Sequence, residues 1–207
     1  MSPARDGVLY AAWYTLADGS EARPLDLVEM TLREPRPEPH QPENWLLAGV
    51  TWRLRARPAP RSVIAPLRAA LERGPTVLGT REDRVPVADL PVRASLALAA
   101  PVGVRWRVAT DGSGLRRLRA MFALRHQEYD LPVTDPEWEQ RAATLPDGCH
   151  HGAALGEDAS GRLLLTLSLG KPFGETACCH KLVAAVITVP ADWSADGPAP
   201  ERAARAD

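Results

Sequence analysis

Four groups of residues have the types and spacing to do chemistry. His126-Gln127-Glu128 supplies the His-x-Glu half of a zinc deaminase, but in place of Pro-Cys-x-x-Cys the chain offers Ala177-Cys178-Cys179-His180. Adjacent cysteines on a strand point to opposite faces, so this pair cannot grip one ion, and the deaminase is rejected. Cys149, His150, His151, Cys178 and His180 could assemble a tetrahedral site, yet their spacing follows no zinc knuckle, and no metal is expected. Asp130, Asp135 and Glu137 come closest to the clustered carboxylates of a metal-dependent nuclease. Thr134 or Asp135 reads better as the cap of a helix that opens at Pro136, with Glu137 in its first turn. The fourth group is cationic: Arg53, Arg55 and Arg57 recur at a period of two, as do Arg105 and Arg107, and Arg117 and Arg119. Such spacing puts guanidinium groups on one face of a strand, where they can follow a phosphate backbone.

The elements that must position these groups are short. Twenty prolines and fifteen glycines cut the chain into pieces and disfavour a helical bundle. Strands are expected over 8–16, 25–32, 45–57, 76–80, 92–99, 104–110, 115–126, 163–169 and 182–189. Asp111-Gly112 between two alternating runs makes 104–126 a hairpin, with Leu118, Ala120, Phe122 and Leu124 on one face and Arg117, Arg119, Met121 and Arg125 on the other. Trp52, Leu54 and Ala56 likewise back the Arg53–Arg57 run. One amphipathic helix is expected over 62–73, capped by Ser62 and stopped by Gly74-Pro75. The stretch 34–42, with four prolines, reads as an extended surface linker. Trp45, Trp52 and Trp106 beside arginines could stack on bases or fill the core.

The 207 residues carry 45% hydrophobic and 25% charged residues, ordinary for a soluble globular protein. No run approaches a membrane span, the N-terminus lacks an apolar signal segment, and three cysteines do not make a disulfide framework; the cytoplasm is the expected compartment. The net charge of −1 conceals blocks of −4 over 1–44, +10 over 45–125 and −7 over 126–207. A basic block between acidic flanks is the footprint of a polyanion partner, unless its arginines meet the flanking acids across the fold. No phosphate-binding glycine loop, nucleophile elbow or His-Glu-x-x-His is present, so neither catalysis nor a cofactor is expected.

Three stretches taken together carry a family resemblance. They are Leu25–Glu29 running to Gln41-Pro42-Glu43-Asn44-Trp45; Tyr129-Asp130-Leu131-Pro132-Val133-Thr134-Asp135-Pro136; and Ser168-Leu169-Gly170-Lys171-Pro172-Phe173 followed by Lys181–Ile187. In order and spacing the chain resembles the dual OB-containing domain family of prokaryotic proteins, over about residues 23–189. The resemblance implies a mostly β fold of two small OB-like barrels packed as one unit, with the one helix central. It also implies nucleic-acid binding, with suspected roles in conflict or phage-defence loci. The halves are expected at 1–95, with about 24 residues before Leu25, so that its N-terminus is either trimmed or completed by another chain, and at 96–190, with a disordered tail over 191–207. Lys171, Phe173 and Lys181, in the family-like motifs, join the arginines as candidate contacts. The readings in order are a nucleic-acid-binding accessory protein, single-stranded or structured nucleic acid being open; an adaptor subunit with protein partners; and a metal-dependent nuclease.

Overall fold

The computed structural model describes residues 11–48, 51–156, 162–173, 177–190 and 192–195. The described part opens on a helical turn, α1 (Ala11–Tyr14), and four short strands follow: β1 (Leu27–Glu29), β2 (Leu32–Pro35), β3 (Trp45–Leu47) and β4 (Arg53–Ala56). They pair as two antiparallel ribbons, β1 with β4 and β2 with β3. A 3-10 turn over Pro60–Val63 leads into α2 (Ile64–Ala70). Then come β5 (Arg84–Pro86), β6 (Leu96–Ala99), β7 (Val102–Thr110), β8 (Arg116–Leu124), β9 (Gln127–Pro132), α3 (Pro136–Ala142), β10 (Gly148–His151), β11 (Arg162–Phe173) and β12 (Cys178–Val189). The long strands form two four-stranded sheets, in the orders β10-β7-β8-β9 and β5-β12-β11-β6.

Their inner faces enclose one core. Trp106, Val108, Leu118, Ala120, Phe122, Tyr129 and Leu131 from one sheet meet Val85, Leu165, Leu167, Leu169, Cys179 and Val183 from the other. The sheets join where Val133 bridges Val183 in parallel and the Thr134 amide donates to the Val183 carbonyl at 2.9 Å. The result is mostly β, with curled half-barrel sheets of the OB-like kind packed as one unit. Val77, Leu78 and Val85 contribute to this core from before residue 95, so it runs across the 95/96 division.

The two sheets differ on their outer faces. In β11, Leu163, Leu165 and Leu167 point inward, while Leu164 belongs to a second cluster with Leu67 of α2, Val189 and Trp193. Both faces of that sheet are therefore covered, which is why Leu163–Leu169 reads as an almost unbroken apolar run. Trp193 is buried there, so residues 192–195 pack on the fold; the rest of the stretch read as a tail lies outside the described residues. In the β10-β7-β8-β9 sheet, β8 alternates from Arg117, β9 from Glu128 and β7 around Trp106 and Val108, past an irregularity between Val102 and Arg105, and the outer residues are exposed or half-buried.

Several local expectations change. The strand over 8–16 is not formed at Ala11–Tyr14, where alanine favours the helical turn and the Thr15 hydroxyl donates to the Ala11 carbonyl at 2.7 Å; residues 8–10 lie outside the described part. The α-helix is shorter than 62–73, because Leu71 turns extended and bridges Leu98, and the Ser62 hydroxyl donates to the Ala59 carbonyl instead of capping. The proline-rich 34–42 stretch is no free linker. The chain reverses at Glu38–Gln41 so that Trp45 pairs with Pro35, and Gln41 Nε2 donates to the Leu169 carbonyl at 3.2 Å. Glu43 Oε1 accepts from the Ser95 amide at 2.8 Å, and the Val92 amide donates to the Pro39 carbonyl at 3.0 Å. Val77–Thr80 is an isolated bridge rather than a strand, and the run 115–126 breaks at Arg125 and His126, both in the left-handed region, before β9 returns.

Of Thr134 and Asp135, the cap of the helix that opens at Pro136 is Asp135. Its Oδ1 accepts from the amides of Glu137 (3.0 Å) and Trp138 (3.3 Å), and Oδ2 accepts from the Val186 amide of β12 at 2.8 Å. One buried carboxylate thus starts α3 and ties it to the neighbouring sheet. Asp135→Ala removes the cap and strands three amides, two of them at the helix start. We expect a loss of about 2–4 kcal/mol in urea denaturation, and a smaller one for Asp135→Asn. A loss under about 1 kcal/mol in the alanine variant contradicts this role.

Candidate nucleic-acid interface

The register of the open sheet determines what its outer face carries. Residues directly opposite each other share a face. One row across the four strands is Cys149, Arg107, Arg119 and Pro132; the next is His151, Arg105, Met121 and Asp130; Ala109 and Arg117 pair on the other side of the first. Arg105, Arg107, Arg117 and Arg119 therefore lie together on one solvent-facing surface, as the period-two spacing requires. Trp106, Val108, Leu118 and Ala120, the residues between them, are buried on the inner face.

Arg107 stands directly opposite Arg119, a repulsive placement for like charges. Asp130 of the adjacent strand resolves it. Its Oδ1 accepts from Arg119 Nε at 2.6 Å, its Oδ2 accepts from Arg107 Nη2, and its backbone carbonyl accepts from Arg119 Nη2 at 2.6 Å. Arg117 is held loosely, its Nε 3.5 Å from Asp111 Oδ2. That carboxylate is already engaged by the Ser113 hydroxyl and the Leu115 amide, which keep it below the usual carboxylate range. Arg105 has no ion pair with a described residue. Asp130 was legible only as a nuclease carboxylate. The alternation of Gln127–Pro132, with Tyr129 and Leu131 inward, is the signal that puts it outward beside the arginines.

The other candidates lie elsewhere. Arg53 and Arg55 are on the exposed face of β4, with Trp52 and Leu54 half-buried behind them. The guanidinium of Arg55 pairs with Glu29; that of Arg57 lies 3.3 Å from Asp26 Oδ1 and donates to the Ser20 hydroxyl at 3.1 Å. Acids of the N-terminal flank thus meet part of the basic block. Arg125, past the end of β8, donates to the Glu72 carbonyl. Lys171 and Phe173 are exposed at the far end of β11, Phe173 at 77% of its full surface. Trp106 is no base platform: it is fully buried and stacks on Trp138 with centroids 4.5 Å apart.

Lys181 is a correction. Its side chain is fully buried, with Nζ donating to the carbonyls of Thr80 (2.8 Å) and Glu82 (2.7 Å) and standing 5.8 Å from the Tyr129 ring. It ties the 80–83 loop to β12 and cannot reach a ligand at the surface. Burial lowers its pKa to about 8, against the pull of Glu82 and Asp83.

The remaining family-motif residues build the fold. Asn44 Nδ2 donates to Gln41 Oε1 at 2.9 Å, which aims the Gln41 amide at Leu169. Ser168 pairs with Leu96 and Leu182, and Gly170 lies in a bulge where a Cβ would meet the His180 carbonyl oxygen at 3.3 Å. Pro172 faces Cys179; Tyr129 is buried and stacks on Phe122 at 5.5 Å. Thr134 joins the sheets through Val183. Among the described residues no three His, Cys, Asp or Glu side chains gather to hold a metal, and Cys178 and Cys179 are buried.

A family model described as the dual OB-containing domain matches residues 1–186. No curated protein and no solved structure matches the chain.

The buried lysine makes a pH prediction. Its folded pKa lies below the 10.5 of an unhindered lysine, so between pH 8 and 10.5 the unfolded chain binds more protons, and stability rises with pH across that window. Burial raises the pKa values of Cys179 and Tyr129, which act in the opposite sense above their ordinary values of 9.0 and 10.0. Comparison with Lys181→Met cancels both. From pH 7 to 9.5 the unfolding free energy of the wild type should gain about 1–2 kcal/mol on that of the variant. Parallel curves would mean that the ammonium is not desolvated.

Proposed function

The chain belongs to the dual OB-containing domain family, and on that premise we propose that it is a non-catalytic nucleic-acid-binding accessory protein whose contact surface is the outer face of β10-β7-β8-β9. The observation that carries the reading is the gathering of Arg105, Arg107, Arg117 and Arg119 on the outer face of this sheet, where they are exposed or half-buried among the described residues. Guanidinium groups on a sheet face neutralise phosphates without reading sequence, so affinity falls steeply with salt. Service in a prokaryotic conflict or phage-defence system belongs to the same proposal, as a role suspected for the family. Among the described residues no helix is long and apolar enough to cross a membrane.

A second reading, an adaptor with protein partners, draws on the N-terminal ribbons. Leu27 of β1, Leu32 of β2 and Met30 between them are exposed, and among the described residues each ribbon has only two strands. It predicts a partner that stays bound after nuclease treatment.

The two basic surfaces are separated by charge neutralisation. Arg105→Gln combined with Arg117→Gln leaves the Arg107–Asp130–Arg119 cluster intact. In filter-binding titrations at two salt concentrations, this double variant should lose at least tenfold in affinity for polynucleotide. Its slope of log K against log salt should fall by about 2. The triple variant of Arg53, Arg55 and Arg57 to Gln should lose less than threefold. Unchanged binding in the folded double variant overturns the reading.

A further inference from the structure

Resting on that reading, we infer that the phosphates met by this face belong to a duplex and not to a single strand. The first ground is what the face lacks. A surface built for single strands interleaves cations with aromatic rings on which successive bases stack. Among the described residues of β7, β8, β9 and β10, no Phe, Tyr or Trp points outward: Trp106, Phe122 and Tyr129 all lie in the core. Met121, at the centre of the face, is flanked by Arg105 and Asp130. The pleat has put this sheet's aromatic rings inward and its cations outward, the reverse of a stacking platform.

The second ground is the layout of the cations. Along the strands Arg117, the Arg107–Arg119 pair and Arg105 occupy three successive rungs, about 6–7 Å apart, and the pair extends sideways across two strands about 5 Å apart. This is a grid and not a file. Ala109 stands beside Arg117, and the rung beyond Met121 carries Val102, 72% exposed, then Ala123 and Glu128. A shallow depression of about 390 Å³ opens at one end of the grid, between Val102, Arg105, Met121 and Asp130; the grid itself suits the phosphate rows of a duplex, whose bases are already stacked on one another. It gives unstacked bases no aromatic ring to lie against among the described residues, only the aliphatic Val102 and Met121. Phe173, at 77% exposure, is on β11 in the other sheet.

The test is a titration of the full chain against three probes of one length: a 20-base-pair DNA duplex, a 20-base-pair RNA duplex, and an unstructured 20-nucleotide single strand. Either duplex should bind at least fivefold more tightly than the single strand at equal salt. Its log–log salt slope should be about −3 to −4, the value for three or four phosphates. The two duplex arms tell B-form from A-form geometry. Phe173→Ala should leave duplex binding within twofold. A single strand that binds as well as both duplexes, or a loss on Phe173→Ala as large as that of the Arg105/Arg117 double variant, overturns this inference and leaves nucleic-acid binding standing. No binding to any probe at low salt overturns both.

Discussion

Successive residues of a strand fall on opposite faces, and in β7 and β8 one of those faces is buried in the core and the other meets water. Trp106 and Val108 on one strand, with Leu118, Ala120 and Phe122 on the other, are held inside by the shared core. The residues between them have no choice of side. A one-residue slip would bury four arginines, and the cost of desolvating unpaired guanidinium groups forbids it. The hydrophobic register and the cationic face are therefore one constraint seen from two sides. Asp130 makes the face tolerable in the absence of ligand, because it sits between the two arginines that the register forces together.

Much of the remaining polar chemistry serves to close the core. Asp135 joins α3 to β12, Lys181 draws the 80–83 loop onto β12, and Gln41 and Glu43 fasten the β2–β3 ribbon to β11 and to the segment before β6. Asp135 and Lys181 are buried, Gln41 is half-buried and Glu43 is exposed, and the partners of all four are mainly backbone atoms, the kind of contact that specifies one chain path. The motif residues that carried the family resemblance are largely these fasteners. The arginines that carry the functional proposal lie outside those motifs.

The sequence exposed the open sheet well because its pattern is local. The Asp111-Gly112 turn, the alternation on either side of it and the helix start at Pro136 all depend on near neighbours, and all are found in the fold, with Asp135 rather than Thr134 as the cap. Nothing comparable marks contacts between distant segments. Lys181 has the same letter as a surface lysine, and only the arrival of the Thr80 and Glu82 carbonyls, about a hundred residues away in sequence, shows that it is interior. The prolines of 34–42 announce an extended backbone equally for a linker and for the docked reversal that Gln41 makes of it. The charge blocks misled in a similar way. The acids that meet the basic block include Asp26 and Glu29 from one flank and Asp130 from the other, so the basic total overstates the charge left for a ligand.

The central claim is that the outer face of β7 and β8 is where a polyanion lands. The most direct measurement is an NMR titration of the protein with a short nucleic-acid duplex, following the Met121 methyl group and the arginine side-chain N–H signals. Met121 lies in the same row as Arg105 and next to Arg119, so it reports on the face without contributing charge. The account predicts that Met121 and Arg105, Arg107, Arg117 and Arg119 shift together and saturate at one stoichiometry, while Phe173 and the β4 arginines stay in place. Shifts confined to β4 or to the end of β11, with Met121 unmoved, would contradict it.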